Sequence, residues 1–314
     1  MTIYVTGGLG FIGHNLIKFL NYYHNISNII VVDEWKDDNW KSVQGMKFVD
    51  LISPKKFIEE EIFSINNKDT IIHLGAITDT NYKDMNVLWE NNVQYTKKLI
   101  GAALETKCHL IYASSASVYG DGECGFSDRM TSDEFSYLKP KNPYAMSKWL
   151  VDNLLFTLPK DIPITGLRYF NVWGPGEERK GNMASFMTKN LESFRTGQEV
   201  KLWKLTTSAF SGPAARDFVY IKDVCKVTAH FLFSRKAGIY NVGRGVAETW
   251  ETMCNEMYRV FDKQPKINYI EPNADLTAYQ YYTKADISKL REAGYKDEFM
   301  TVRQSCEDYL RATI

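Results

Sequence analysis

The chain has 314 residues, and its 38 Lys+Arg against 38 Asp+Glu give a formal charge of zero, without the basic footprint of a nucleic-acid or anionic-membrane binder. Hydrophobic residues at 44% and aromatics at 14% exclude global disorder, and no apolar run approaches the roughly 18 residues of a membrane span. The start MTIYVTGG has no secretory-leader pattern, and Cys108, Cys124, Cys225, Cys254 and Cys306 are scattered without a CxxC pair, as expected for reduced thiols rather than disulfides or metal ligands.

Residues 2–6 (TIYVT) read as a strand, and residues 11–23 carry Phe11, Ile12, Leu16, Phe19 and Leu20 at helical spacing. Residues 28–33 (NIIVVD) are apolar on both faces, as a buried parallel strand should be. Further strands are expected at 47–49, 70–74, 109–113 and 164–169, separated by helical patterns, notably 85–104 and 144–157. Strand–helix alternation of this kind predicts an α/β fold, a doubly wound parallel sheet with helices on both faces. The second half is less regular. Stretches bearing Gly and Pro at 172–181 and 208–216 interrupt it, and helices are predicted at 183–195, 221–234, 247–261 and 300–310. The charge run at 59–61 reads as a solvated helix face. These patterns predict a cytoplasmic protein with a sheet domain over residues 1–170 plus about 217–243. A smaller mixed α/β domain follows, over about 171–216 and 244–314.

Directly after the first strand, Gly7, Gly10 and Gly13 precede a helix. In a Rossmann-type unit Gly7 permits the tight turn, Gly10 lets the backbone approach a pyrophosphate, and Gly13 lets the helix pack close. The phosphates would sit at the helix N-terminus. Asp33 stands 20 residues beyond Gly13, where an acidic side chain bonds a ribose. Asp33 and Glu34 repel a 2′-phosphate and favour NAD, whereas Lys36 and Lys41 on the following loop would admit NADP.

Tyr144 and Lys148 are spaced i and i+4 and share a helix face. A phenol of pKa about 10 is a poor base at neutral pH. A neighbouring ammonium and the positive ring of an oxidised nicotinamide would favour the phenolate. Ser114 and Ser115 lie just past the strand at 109–113, at the sheet edge where ligands bind, and Ser115 is placed to bond the same substrate oxygen as Tyr144.

Together these residues resemble the extended short-chain dehydrogenase/reductases, nucleotide-sugar branch. The resemblance runs over nearly the whole chain and includes Asp50-Leu51, Gly75-Ala76, Val118-Tyr119-Gly120, Asn142-Pro143-Tyr144, Arg168 to Pro175, Arg216-Asp217-Phe218 and Tyr240-Asn241-Val242-Gly243. Local matches at 77–80, 112–116, 180–185 and 279–286 are similar to the members that invert C6 of an ADP-activated heptose. The resemblance implies an NAD(P)-dependent epimerase, expected as a homo-oligomer, acting on a nucleotide-activated sugar. Its catalytic residues would be Tyr144, Lys148, Ser115 and a second acid/base, Lys180, which without the family reads as part of a solvated charged loop. The dinucleotide contacts would comprise Gly7, Gly10, Phe11, Ile12, Gly13, Asp33, Glu34, Lys41, Asp50, Leu51, Leu74, Ala76, Thr78, Asn91 and Val172, with Tyr144, Lys148 and Lys180. Substrate would meet Ser115, Asn171, Asn182, Lys189, Arg216 and Tyr279. Asn182 and Lys189 replace a serine and a histidine expected there. Residues 203–215 form a longer loop than the family's, without its acidic residue. Sibling activities remain open: C4 epimerase or reductase, and a dehydratase less so, because Ser115-Ala116-Ser117 stands where dehydratases carry Thr-Asp-Glu. A cofactor-binding protein without catalysis is the reading of another class.

Overall fold

The computed structural model describes residues 1–36, 39–159, 162–207 and 212–313. Seven strands, numbered in chain order, form the central sheet: β1 (Ile3–Thr6), β2 (Ile29–Val32), β3 (Asp50–Ile52), β4 (Thr70–His73), β5 (His109–Ser115), β6 (Ile164–Tyr169) and β7 (Gly238–Val242). Their spatial order is β7-β6-β5-β4-β1-β2-β3, and every neighbouring pair is parallel. β1 and β4 are buried along their whole length, so both faces need apolar cover. Helices Phe11–His24 and Ile221–Ser234 pack on one face through Leu16, Ile17, Leu20, Val224, Val227 and Phe231. Helices Tyr95–Thr106 and Pro143–Leu155 cover the other through Leu99, Ile100, Val151 and Leu155. Connections leave β1 toward β2 on one side, and the chain returns to β4 on the other. That reversal opens a crevice at the carboxyl ends of β1 and β4, the usual ligand position in such sheets.

Several elements differ from the sequence expectation. The strand predicted at 47–49 forms at Asp50–Ile52, because Ile52 can be buried against the core at 5% exposure while Val49 stays 65% exposed. The helix expected over 85–104 is one helical run of three kinds: α over Met85–Leu88, π over Trp89–Gln94, and α over Tyr95–Thr106. The pattern over 183–195 breaks into a 3-10 turn Glu178–Met183 and two short helices, Phe186–Lys189 and Leu191–Thr196. Ser185 starts the first helix by accepting the Thr188 amide. Asn142 caps Pro143–Leu155, accepting from the Ala145 amide at 2.8 Å, with proline at the first turn, where its missing N–H costs nothing.

The second half adds small strand pairs, one of which borders the crevice through Asn171, Val172, Trp173 and Phe218. Asn171–Trp173 runs parallel to Phe218–Tyr220, Val200–Trp203 parallel to Ile267–Ile270, and Ala215–Arg216 antiparallel to Glu248–Thr249. In the long loop, Thr206–Thr207 pairs with Gly212–Pro213, and residues 208–211 of the stretch singled out in the sequence lie outside the described residues. All five cysteines are free thiols. Among the described residues no helix is long and apolar enough to cross a membrane.

Candidate active site

The crevice is a cleft of about 760 Å³ that gathers Gly7, Gly10, Phe11, Ile12, Gly13, Asp33, Glu34, Leu74, Ala76, Thr78, Asn91, Ser115, Tyr144, Lys148, Asn171, Val172 and Lys180. Gly7 has φ +69°, and a Cβ there would stand 2.5 Å from the Gly75 amide nitrogen. A Cβ on Gly13 would collide with the Gly7 carbonyl oxygen, so the loop and helix touch backbone to backbone. Gly10 precedes the helix without any side-chain cap, leaving its first N–H groups to the cleft. The Asp33 carboxylate accepts the Leu9 and Glu34 amides, each at 2.8 Å, which ties the end of β2 to the glycine loop. Burial pushes its pKa up against those two bonds. A loop that excludes Cβ atoms, an uncapped helix start and a carboxylate at the next strand end together fit a dinucleotide.

Tyr144 lies deep in the cleft. Burial raises its phenol above the ordinary value, and a hydrogen bond with the Ser115 hydroxyl draws it part-way back. Ser115 Oγ already accepts from the Ser117 amide at 3.1 Å and the Ser117 hydroxyl at 2.9 Å. Its acceptor sites are thereby filled, so its own proton points to the phenol. Lys148 is 5% exposed; its Nζ donates to the Ala113 carbonyl at 2.9 Å and stands 6.0 Å from the Tyr144 ring centroid. Burial brings this ammonium down to about 8. With the protein groups alone, burial is the larger influence on the Tyr144 phenol and the Ser115 hydrogen bond opposes it.

Lys180 reaches the same cleft from the turn Glu178–Met183. Its Nζ is 3.1 Å from Glu177 Oε1 and 5.4 Å from the Phe11 ring centroid, at the start of the helix that follows the glycine loop. Of this charged loop, Glu177 and Lys180 line the cleft, while Glu178, Arg179 and Gly181 are exposed.

Residues 3–243 match the model of the NAD dependent epimerase/dehydratase family. The chain belongs to this family. It is 39% identical to an ADP-L-glycero-D-manno-heptose-6-epimerase of Brachyspira hyodysenteriae, over 98% of this chain and 96% of that one. It is 36% identical to the enzyme of the same name in Fusobacterium nucleatum, over 98% and 97%. Among solved structures it is similar to the Helicobacter pylori ADP-L-glycero-D-manno-heptose-6-epimerase, with TM-score 0.82, 28% identity, and 99% and 95% coverage.

Within this family member, the other expected site residues stand off the large cleft. Lys41 lies 5.6 Å from the Trp40 ring centroid and does not line the cleft, whose rim there is Glu34 and Lys36. Asp50 is exposed, accepting its neighbour Leu51's amide at 2.7 Å, and the wall resumes only at Pro54. Lys189 Nζ donates to the Asn182 carbonyl at 2.7 Å, joining two exposed residues to each other. Arg216 is 6% exposed, with its guanidinium 5.7 Å from the Trp250 and 5.0 Å from the Tyr279 ring centroid. Its Nη1 donates to Gln280 at 3.3 Å, while its buried Nε has no partner among the described residues. Burial brings this guanidinium down to about 10, a cost that an anion would offset.

Sequence reasoning missed the polar support beneath the cleft. His73 Nδ1 is 2.6 Å from Thr6 Oγ1 and its Nε2 is 2.9 Å from Thr96 Oγ1. Thr96 in turn donates to the Asn92 carbonyl at 2.6 Å, so its oxygen accepts from Nε2–H; burial brings the ring's pKa down to about 3, which keeps it neutral at ordinary pH. Asn92, in the π segment, exchanges bonds with Ile77 at 2.9 and 3.0 Å and donates to Ser147 at 3.0 Å. Ser147 donates to the Tyr144 carbonyl at 2.7 Å. The one signal was His73 itself, a polar residue inside an apolar strand.

Proposed function

We propose that this chain is an ADP-glycero-manno-heptose 6-epimerase, oxidising C6 of the sugar transiently and returning hydride to the opposite face. The observation that carries the reading is that Tyr144 and Lys180, from two different elements, line one cleft with the glycine loop. The 39% and 36% identical relatives support the sugar and the nucleotide. When bound, the nicotinamide supplies a reversible hydride acceptor. The amides at the start of helix Phe11–His24 would hold the pyrophosphate and Asp33 a ribose, with Leu74, Ala76, Thr78, Asn91 and Val172 walling the ring side. With substrate bound, Ser115 would turn its one proton from the phenol to the C6 oxygen. Tyr144 would take the hydroxyl proton of one epimer and Lys180 that of the other, since inversion needs an acid/base on each face. Lys148, fixed by the Ala113 carbonyl, supplies positive charge beneath the phenol.

NAD is the reading favoured over NADP. Asp33 and Glu34 both line the cleft, where they would repel a 2′-phosphate, and Lys36 is paired with Glu34 at 3.5 Å. Arg216, with its unpartnered Nε, would bind the substrate diphosphate bidentately, and Tyr279, Asn171, Asn182 and Lys189 would contact the sugar nucleotide. Residues 1–170 with about 217–243 would carry the dinucleotide, and about 171–216 and 244–314 the substrate, in a cytoplasmic homo-oligomer measurable by size-exclusion chromatography with light scattering. The test is mass spectrometry of the copurified nucleotide together with NMR-monitored turnover of ADP-heptose, expected to equilibrate the C6 epimers without net cofactor consumption. Tyr144→Phe is expected to lower kcat by about 10²–10⁴. Turnover of another sugar nucleotide but not ADP-heptose rejects the substrate, and a near-normal rate for Tyr144→Phe rejects the mechanism.

A further inference from the structure

Glu177 sits in a charged run, Gly176 to Gly181, yet it is 1% exposed. Its carboxylate is engaged on both oxygens. Oε1 accepts from Lys180 Nζ at 3.1 Å and from the Ser185 amide at 2.9 Å, and Oε2 accepts from Thr188 Oγ1 at 3.0 Å. Thr188 Oγ1 lies 3.2 Å from the hydroxyl of Tyr309, a buried residue of the C-terminal helix Val302–Thr313. Burying a carboxylate is costly unless it is paired and hydrogen-bonded. A neutral side chain would close the loop without that cost, so the negative charge itself calls for an explanation. Lys180 supplies one: a lysine has four flexible bonds and many rotamers, and an amino group moving a proton on one face of a sugar carbon must keep one of them.

We infer that Glu177 is a positioning residue for Lys180, holding its amino group at the cleft wall, as the amine that takes the C6 hydroxyl proton and as the ammonium that returns it, while Thr188 and Tyr309 hold the carboxylate. This deepens the reading of Lys180 as the second acid/base and rests on it. The C-terminal helix then reaches the chemistry through three side chains, although it contributes no residue to the cleft lining.

The test compares Glu177→Gln, Thr188→Val and Lys180→Met in the full chain with each C6 epimer of ADP-glycero-manno-heptose. It records kcat, KM, melting temperature and the absorbance of reduced nicotinamide in a single turnover. Glu177→Gln keeps an acceptor for Ser185 and a polar partner for Thr188. It is expected to melt as the wild type does and to lose about ten- to a hundredfold in kcat, with KM changed less than about threefold. Reduced nicotinamide should still form from the epimer served by Tyr144 and be lost from the other. Thr188→Val should show a smaller loss of the same pattern. A Glu177→Gln kcat within about twofold of wild type, beside an inactive Lys180→Met, overturns the positioning role alone. A Glu177→Gln loss equal for both epimers and accompanied by a lower melting temperature overturns it as merely structural. A fully active Lys180→Met instead overturns the assignment of Lys180 on which the inference rests.

Discussion

Gly7 and Gly10 sit three residues apart in the same loop, and the structure separates their roles into stability and ligand approach. At Gly7 the backbone has φ +69°, and an added Cβ meets Gly75 N at 2.5 Å, Gly75 Cα at 2.7 Å and Leu74 C at 2.8 Å. All three are backbone atoms at the end of β4, which cannot rotate away. Alanine there incurs about 1–2 kcal/mol of left-handed strain and a further ~1–3 kcal/mol of overpacking. The sum, about 2–5 kcal/mol, is a large part of a typical stability of about 5–15 kcal/mol. Gly10 has φ −72°, and its added Cβ meets only the Gly7 carbonyl oxygen, at 3.1 Å. Alanine there should cost under about 1 kcal/mol in stability but crowd the cleft where the backbone must approach a pyrophosphate, raising the dinucleotide Kd at least about tenfold. Urea denaturation followed by two probes gives the stabilities, and calorimetric titration with NAD gives the affinities. If Gly7→Ala unfolds at the wild-type midpoint, or Gly10→Ala binds NAD undiminished, the reasoning from Cβ contacts fails.

Asp152 accepts from Arg168 Nε at 2.7 Å, Tyr112 OH at 2.8 Å and Ser114 Oγ at 2.8 Å, all buried. Asp152→Ala leaves the Arg168 guanidinium unpaired in the core and should cost about 3–5 kcal/mol in denaturant unfolding, whereas a loss under about 1 kcal/mol would show the charge already compensated. His73 makes stability depend on pH. Its native pKa of about 3 lies below the ordinary 6.5, so on acidification the unfolded chain takes the proton first. Its contribution is intact above about 6.5 and is lost as the pH falls toward 3, by at most ~1.4 kcal/mol per unit. His73→Gln should therefore flatten the fall of Tm between pH 6.5 and 4; His14 and His109, lowered to about 4 and about 3, keep the remaining slope. An unchanged slope in His73→Gln would refute this assignment.

What the sequence by itself determined are the features whose signal is local. Gly7, Gly10 and Gly13 announce a turn that excludes Cβ atoms, apolar β-branched runs announce buried strands, and Tyr144 and Lys148 share a helix face because 3.6 residues make a turn. Even there, position was less secure than kind, as the shift of β3 from 47–49 to Asp50–Ile52 shows: the third strand's register follows from which side chains reach the core. Tertiary structure decided the rest, because burial and electrostatic partnership depend on segments far apart in the chain. Glu177 looks like surface in its own loop and becomes a buried carboxylate only when Ser185, Thr188 and Tyr309 close around it. Tyr144 and Lys148 share a helix face by spacing alone, but the burial that raises the phenol and the Ser115 hydroxyl that lowers it come from the packed cleft. A side chain's charge is written in the sequence; the dielectric and the neighbours that give the charge its consequence come only with the fold.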